Sequence, residues 1–218
     1  MTMTAGVKIC GLSEPAHVRS AVEAGAEYVG FVFYEPSPRN VSIAVAQALA
    51  TQARGRSKIV ALVVDADDAL IDAINAGVKP DFFQAHGSES PERVAAIMQR
   101  TGVPVIKAIK VKDAADIEAA RAYAGTAAMV LFDAKAPETL EGALPGGNGL
   151  SFDWSLLSSD GMEHEFMLSG GLDAENVGRA IDMTGAPIVD VSSGVESAPG
   201  RKDAAAIIKF IEAVRQHG

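Results

Sequence analysis

The chain has 218 residues, 48% of them hydrophobic and 22% charged, enough for one sizeable core and too short for two comfortable domains. A formal net charge of -9, with no Lys/Arg cluster, argues against a nucleic acid or a membrane surface as partner. One cysteine excludes an intramolecular disulfide, no apolar run approaches the roughly 20 residues that span a bilayer, and Met1–Gly6 does not read as a signal peptide, so a cytoplasmic protein is expected.

Short β-branched runs recur along the chain: Val7–Gly11, Tyr28–Tyr34, Lys58–Asp65, Asp81–Gly87, Pro104–Val111, Ala127–Ala134, Glu165–Gly171 and Ile188–Gly194. Each is short, apolar and closed by Gly, Asp, Ser or Pro, as buried parallel strands are. Helical patterns lie between them. Glu14–Gly25 places Val18, Ala21 and Val22 on one face, and Gly25 suits a C-terminal stop. Ser90 and Pro91 open a helix carrying Val94, Ile97 and Met98. Asp113 caps one through Ile117, Ala120 and Arg121, and Asp173 caps one through Val177, Ala180 and Ile181. Lys202–Gln216 is expected to bury Ile207, Ile208, Ile211 and Val214. The sixth unit departs from this rhythm with a long Pro/Gly-rich loop, Pro137–Gly149, before a short segment at Phe152–Leu157.

Eight alternations of roughly 27 residues fit an α/β protein with a single (βα)8 TIM barrel over residues 1–218. An open doubly wound sheet is the competing architecture. The first turn, Cys10-Gly11-Leu12-Ser13, lacks the glycine fingerprint that such a sheet uses for dinucleotides.

In a barrel, chemistry gathers at the C-terminal ends of the strands. Strand alternation puts Lys8 and Cys10 on one face, and groups Asp133 with Leu131, Gln84 with His86, and Asp190 with Ser192 and Gly194. Cys10 is either a small buried hydrophobe or a reactive thiol, and Lys8 beside it is expected to ease thiolate formation. Asp133 closes an apolar strand. It is either a helix cap or a proton donor kept in its acid form by apolar surroundings. Gly170, Gly171, Ser193 and Gly194 lie in the last two units, where backbone N–H groups commonly hold phosphate, and Gly194→Val would then weaken binding and spare the fold. Arg39, stiffened by Pro38, suits a carboxylate. His86 and Gln84 read as structural or supporting residues, and the four histidines show no metal-ligand spacing.

These segments resemble phosphoribosylanthranilate isomerase, a tryptophan-biosynthesis family, along nearly the whole chain. The resemblance is carried by Lys8-Ile9-Cys10-Gly11, Gly30-Phe31-Val32-Phe33, Ser37-Pro38-Arg39, Gln84 with His86-Gly87, and Ile106-Lys107-Ala108. It continues through Leu131-Phe132-Asp133-Ala134, Phe152-Asp153-Trp154, Ser169-Gly170-Gly171-Leu172, Asn176-Val177, Asp190 to Glu196, Pro199-Gly200 and Lys202-Asp203. Ala85, Asn148 and Asn40 depart from the family's usual residues.

The resemblance implies a phosphosugar substrate, no metal or other cofactor, and a monomer or homodimer. It implies an Amadori rearrangement with Asp133 as general acid and Cys10 as general base. Lys8, Arg39, Gln84, His86 and Asp190 would serve the substrate, and Gly170, Gly171, Ser193 and Gly194 its phosphate. A related phosphosugar barrel, or a silent barrel that only binds such a ligand, remains an alternative at this point.

Overall fold

The computed structural model describes residues 5–135, 145–157 and 166–217. Eight parallel strands close into a barrel: β1 (Gly6–Cys10), β2 (Tyr28–Phe33), β3 (Lys58–Val63), β4 (Phe82–Ala85), β5 (Val105–Val111), β6 (Met129–Ala134), β7 (Phe166–Leu168) and β8 (Ile188–Val191). β8 pairs back onto β1, with Lys8 beside Asp190. All eight expected runs are strands. Most end sooner than the apolar pattern suggests, because the glycines and polar residues at their ends turn out of the ladder into loops. Glu165 and much of the Pro137–Gly149 loop lie outside the described residues.

Among the described residues seven α-helices accompany the strands: α1 (Pro15–Ala24), α2 (Ile43–Ala53), α3 (Asp68–Val78), α4 (Pro91–Thr101), α5 (Ala114–Ala119), α6 (Val177–Thr184) and α7 (Ala204–Arg215). Between β6 and β7 the described residues include a 3-10 turn, Trp154–Leu157. Local chemistry explains several of the ends. Ser90 accepts from the Arg93 N–H with Pro91 opening α4, and Asp113 and Asp116 form a capping box on α5.

Three sequence expectations need correction. Asp173 does not cap α6; its carboxylate accepts from Glu175 and Asn176 in the turn before it, and α6 starts at Val177. Lys202 belongs to an unanticipated hairpin, β9 (Glu196–Ala198) with β10 (Arg201–Lys202), so α7 starts after its cap Asp203. Ile208 is 40% exposed, and Phe210 takes its place on the buried face of α7.

The core has two shells. Outward-facing strand residues such as Ile9, Val29, Phe83 and Val189 pack against the helices. Inside the barrel Tyr28, Val60, Ile106, Leu131, Met167 and Ile188 fill the lower part. Above them Cys10, Val32 and Leu62 form a smaller cluster, on which the mouth opens.

Candidate active site

The mouth at the strand C-termini holds a cavity lined among others by Cys10, Arg39, His86, Asp133, Asp190 and Ser193. Gly170 and Gly171 line it as well, whereas Lys8, Gln84 and Gly194 do not. The expected residues therefore separate into those facing the cavity and those supporting them.

Cys10 ends β1 facing inward, 4% exposed. Lys8, one inward position below, is fully buried and its Nζ lies 2.7 Å from Oδ1 of Asp190. Asp190 Oδ2 accepts from Ser169 Oγ at 3.1 Å. Burial alone would lower the Lys8 pKa, but the charge of Asp190, then that of Cys10, outweighs it and the net shift is upward. For Cys10 the balance is the reverse. Burial pushes the thiol up, and Lys8 and Lys202 pull against it without prevailing. The expectation that Lys8 would leave Cys10 an easily formed thiolate is thus corrected: it holds for the sign of that one interaction and not for the sum.

Asp133 is the penultimate residue of β6, 5% exposed. Its Oδ1 accepts from the Ala134 N–H at 2.9 Å, and its Oδ2 lies 3.2 Å from Nε2 of His86. His86 Nδ1 in turn lies 2.8 Å from the amide nitrogen of Gln84. Gln84 is fully buried beneath the cavity, and its Oε1 has no partner among the described residues.

Arg39 is held by the protein's own carboxylate. Its Nε and Nη2 donate to Oε1 and Oε2 of Glu196 at 2.7 and 2.9 Å, and Nη2 also reaches the Gly147 carbonyl at 3.1 Å. Asn40 staples the same loop, its Oδ1 accepting from the Tyr34 N–H at 2.9 Å. Glu196 is shared with Lys202, whose Nζ lies 2.8 Å from Oε1 and 2.8 Å from the Ser192 carbonyl. Burial would raise the Glu196 pKa, but Arg39 and then Lys202 hold it below its ordinary range. Burial lowers that of Lys202, and Glu196 only partly offsets this.

The glycines after β7 make close backbone approaches. Gly170 and Gly171 have φ of 91° and 62°, and a Cβ on Gly170 would stand 2.7 Å from the Ala134 nitrogen. Gly194 has no such freedom to spare, because a Cβ there would run into the Leu172 carbonyl. Gly194→Val would therefore disturb the fold, contrary to expectation.

Sequence reasoning gave no role to Glu196, Lys202, Glu89 or Lys107. The last two form a buried pair at 2.8 Å behind β4 and β5, and Glu89 also takes the N–H groups of Asp65 and Gly87 at 2.8 and 2.9 Å. This pair fixes the turn that follows His86. A lysine on the outward side of a buried strand was its one legible signal.

A family profile described as N-(5'-phosphoribosyl)anthranilate (PRA) isomerase matches residues 7–213. The chain belongs to this family. Curated isomerases of the same name are 49% identical in Parvibaculum lavamentivorans, over 98% of this chain and 100% of the relative, and 48% identical in Brucella canis, over 97% and 95%. Among solved structures, the phosphoribosylanthranilate isomerase of Thermotoga maritima superposes with a TM-score of 0.86 at 36% identity, covering 97% of this chain and 99% of that one. A second isomerase structure, in complex with reduced 1-(o-carboxyphenylamino)-1-deoxyribulose 5-phosphate, has a TM-score of 0.83 at 34% identity, with the same coverage. The eight-stranded barrel is thus the fold of an established isomerase family, and the alternative of an open sheet falls away.

Proposed function

We propose that the chain rearranges N-(5-phosphoribosyl)anthranilate to 1-(2-carboxyphenylamino)-1-deoxyribulose 5-phosphate, with Asp133 as general acid and Cys10 as general base. The observation that carries the division of labour is that two proton-bearing side chains, on β1 and β6, face one cavity within a family of isomerases. Asp133 gives its proton to the furanose ring oxygen, the C1–O bond breaks, and the aniline nitrogen's lone pair closes the Schiff base. The carboxylate left behind keeps the His86 and Ala134 donors. Cys10 then removes the C2 proton, and the C–H electron pair flows into the iminium to give the enolamine, which tautomerises to the ketone.

A buried thiol is a reluctant base. The cationic iminium, with Lys8 and Lys202 nearby, offsets the desolvation that keeps Cys10 protonated in the free protein. Arg39, which lines the cavity, is the group for the anthranilate carboxylate through Nη1, since Glu196 occupies Nε and Nη2 and holds the guanidinium in place. The phosphate belongs at the Gly170–Gly171 and Ser193–Gly194 loops. The N–H groups of Gly170 and Gly171 donate to no acceptor among the described residues, which suits an anion on an otherwise acidic protein. Lys202 holds the Ser192 carbonyl and so fixes the second loop. Lys8, Gln84 and Asp190 support the reacting groups.

The test is turnover: the fluorescence of phosphoribosylanthranilate should decay on addition of the pure protein. Binding of the reduced product analogue without turnover would instead make it a silent barrel.

A further inference from the structure

Gln84 lies on β4, His86 is the first residue beyond its C-terminal end, and Asp133 stands on β6. The three side chains form one buried row: Gln84 Nε2 to His86 Nδ1 at 2.8 Å, then His86 Nε2 to Asp133 Oδ2 at 3.2 Å. An amide nitrogen only donates, so Nδ1 is the lone-pair nitrogen, the ring proton sits on Nε2, and the ring donates to Asp133. The opposite amide orientation would demand a proton on Nδ1. It would also bury an NH2 group where Oε1 now finds no partner among the described residues. As placed, the amide leaves its carbonyl and one N–H without a partner among the described residues, whereas flipped it would leave both N–H groups so, and a buried acceptor is the less costly orphan. The row is therefore directional, from amide to imidazole to carboxyl.

We propose that Gln84 is a positioning residue for the proton transfer: it fixes the tautomer of His86, which holds Oδ2 of Asp133 and leaves the carboxyl's remaining lone pairs to the substrate. The inference rests on Asp133 being the general acid. When Asp133 gives its proton to the ring oxygen, the new carboxylate already has His86 Nε2–H on one oxygen and Ala134 N–H on the other. No proton has to move along the row.

Other ionisable groups surround the pair without bonding to it among the described residues. Cys10, Asp190, Arg39 and Tyr34 line the same cavity. Lys110 of β5 is the register partner of Asp133, and Lys8 lies below beside Asp190. The Lys107–Glu89 pair lies behind β4 and β5. All of these are common to the variants compared below, so a change of pH profile reports on the row itself.

Two measurements test the proposal. In 15N spectra of the intact wild-type protein, with the His86 signals identified by their loss in His86→Asn, the ring should carry its proton on Nε2 and a bare Nδ1. In kinetics, His86→Leu removes one of two donors to the carboxylate. The basic limb of the kcat/KM profile should then move up by roughly one pH unit, the worth of one charge-assisted hydrogen bond, and kcat should fall with KM little changed. Gln84→Met should move the limb the same way by less and abolish the single tautomer. A wild-type ring protonated on Nδ1, or variants that lose kcat and KM alike with the limb unmoved, would overturn the proposal. If Gln84→Met fails to fold, the wild-type spectrum still decides. Full turnover by Asp133→Asn would sink the acid assignment and leave the tautomer measurement standing, so the two failures are distinguishable.

Discussion

Gly30 makes the room in which Cys10 sits: the two are register partners across β1 and β2, and a Cβ built on Gly30 would stand 3.1 Å from Cys10 Sγ and 3.2 Å from its Cα. That is close enough to force the thiol aside by a few tenths of an ångström without preventing the barrel from closing. Gly30→Ala should therefore fold with a melting temperature near wild type and lose kcat roughly tenfold, since small misplacements of a reacting group are expensive. Unchanged kinetics would mean that the position of Cys10 matters less than its geometry suggests.

The single cysteine gives a clean spectroscopic handle. Because burial raises the Cys10 pKa above its ordinary 9.0, thiolate absorbance near 240 nm in the free protein should appear only above that pH. The sign for stability follows. The folded chain holds this proton more tightly than the unfolded chain, so stability falls as pH rises past 9.0. A thiolate already formed at neutral pH in the absence of ligand would contradict the burial argument.

Glu196 bridges two buried cations, and removing its charge leaves both without a paired carboxylate among the described residues. Glu196→Gln should cost about 3–5 kcal/mol of stability at neutral pH, measured by denaturant unfolding. With its folded-state pKa held below the ordinary 4.5, the carboxylate's contribution is present above that pH and is lost as pH falls through the lower folded value. The gap between wild type and variant should accordingly shrink in acid; a gap independent of pH would remove the charge from the explanation.

Inorganic phosphate should compete with substrate, and crystals soaked in sulfate should show the anion on the Gly170–Gly171 and Ser193–Gly194 loops. An anion elsewhere in the mouth would reverse the substrate orientation proposed above. Glycine substitutions are poor probes here, because Gly170, Gly171 and Gly194 each abut a neighbouring backbone.

The strands were legible because β-branched runs buried on both faces have few alternatives, and the strand-end polar residues Cys10, Asp133 and Asp190 stood out against them. Ile208 was misplaced because a helix rich in apolar residues offers two adjacent stripes, and only packing chose the one containing Phe210. The Arg39–Glu196 pair spans 157 residues of chain, and no local pattern announces such a contact. Lys8 was read correctly as a neighbour of Cys10. The sum at the thiol was not, because desolvation depends on the whole barrel and not on spacing.

The division of labour between Cys10 and Asp133 is tested most directly by assaying Cys10→Ala and Asp133→Asn side by side, with binding of the reduced product analogue measured on each. Each substitution should lower kcat by roughly 10²–10⁴-fold, the usual worth of a general acid or base, while circular dichroism and affinity for the analogue stay close to wild type. Retention of more than about a tenth of kcat by either variant, or a loss of binding that accounts for the whole effect, would contradict the assignment.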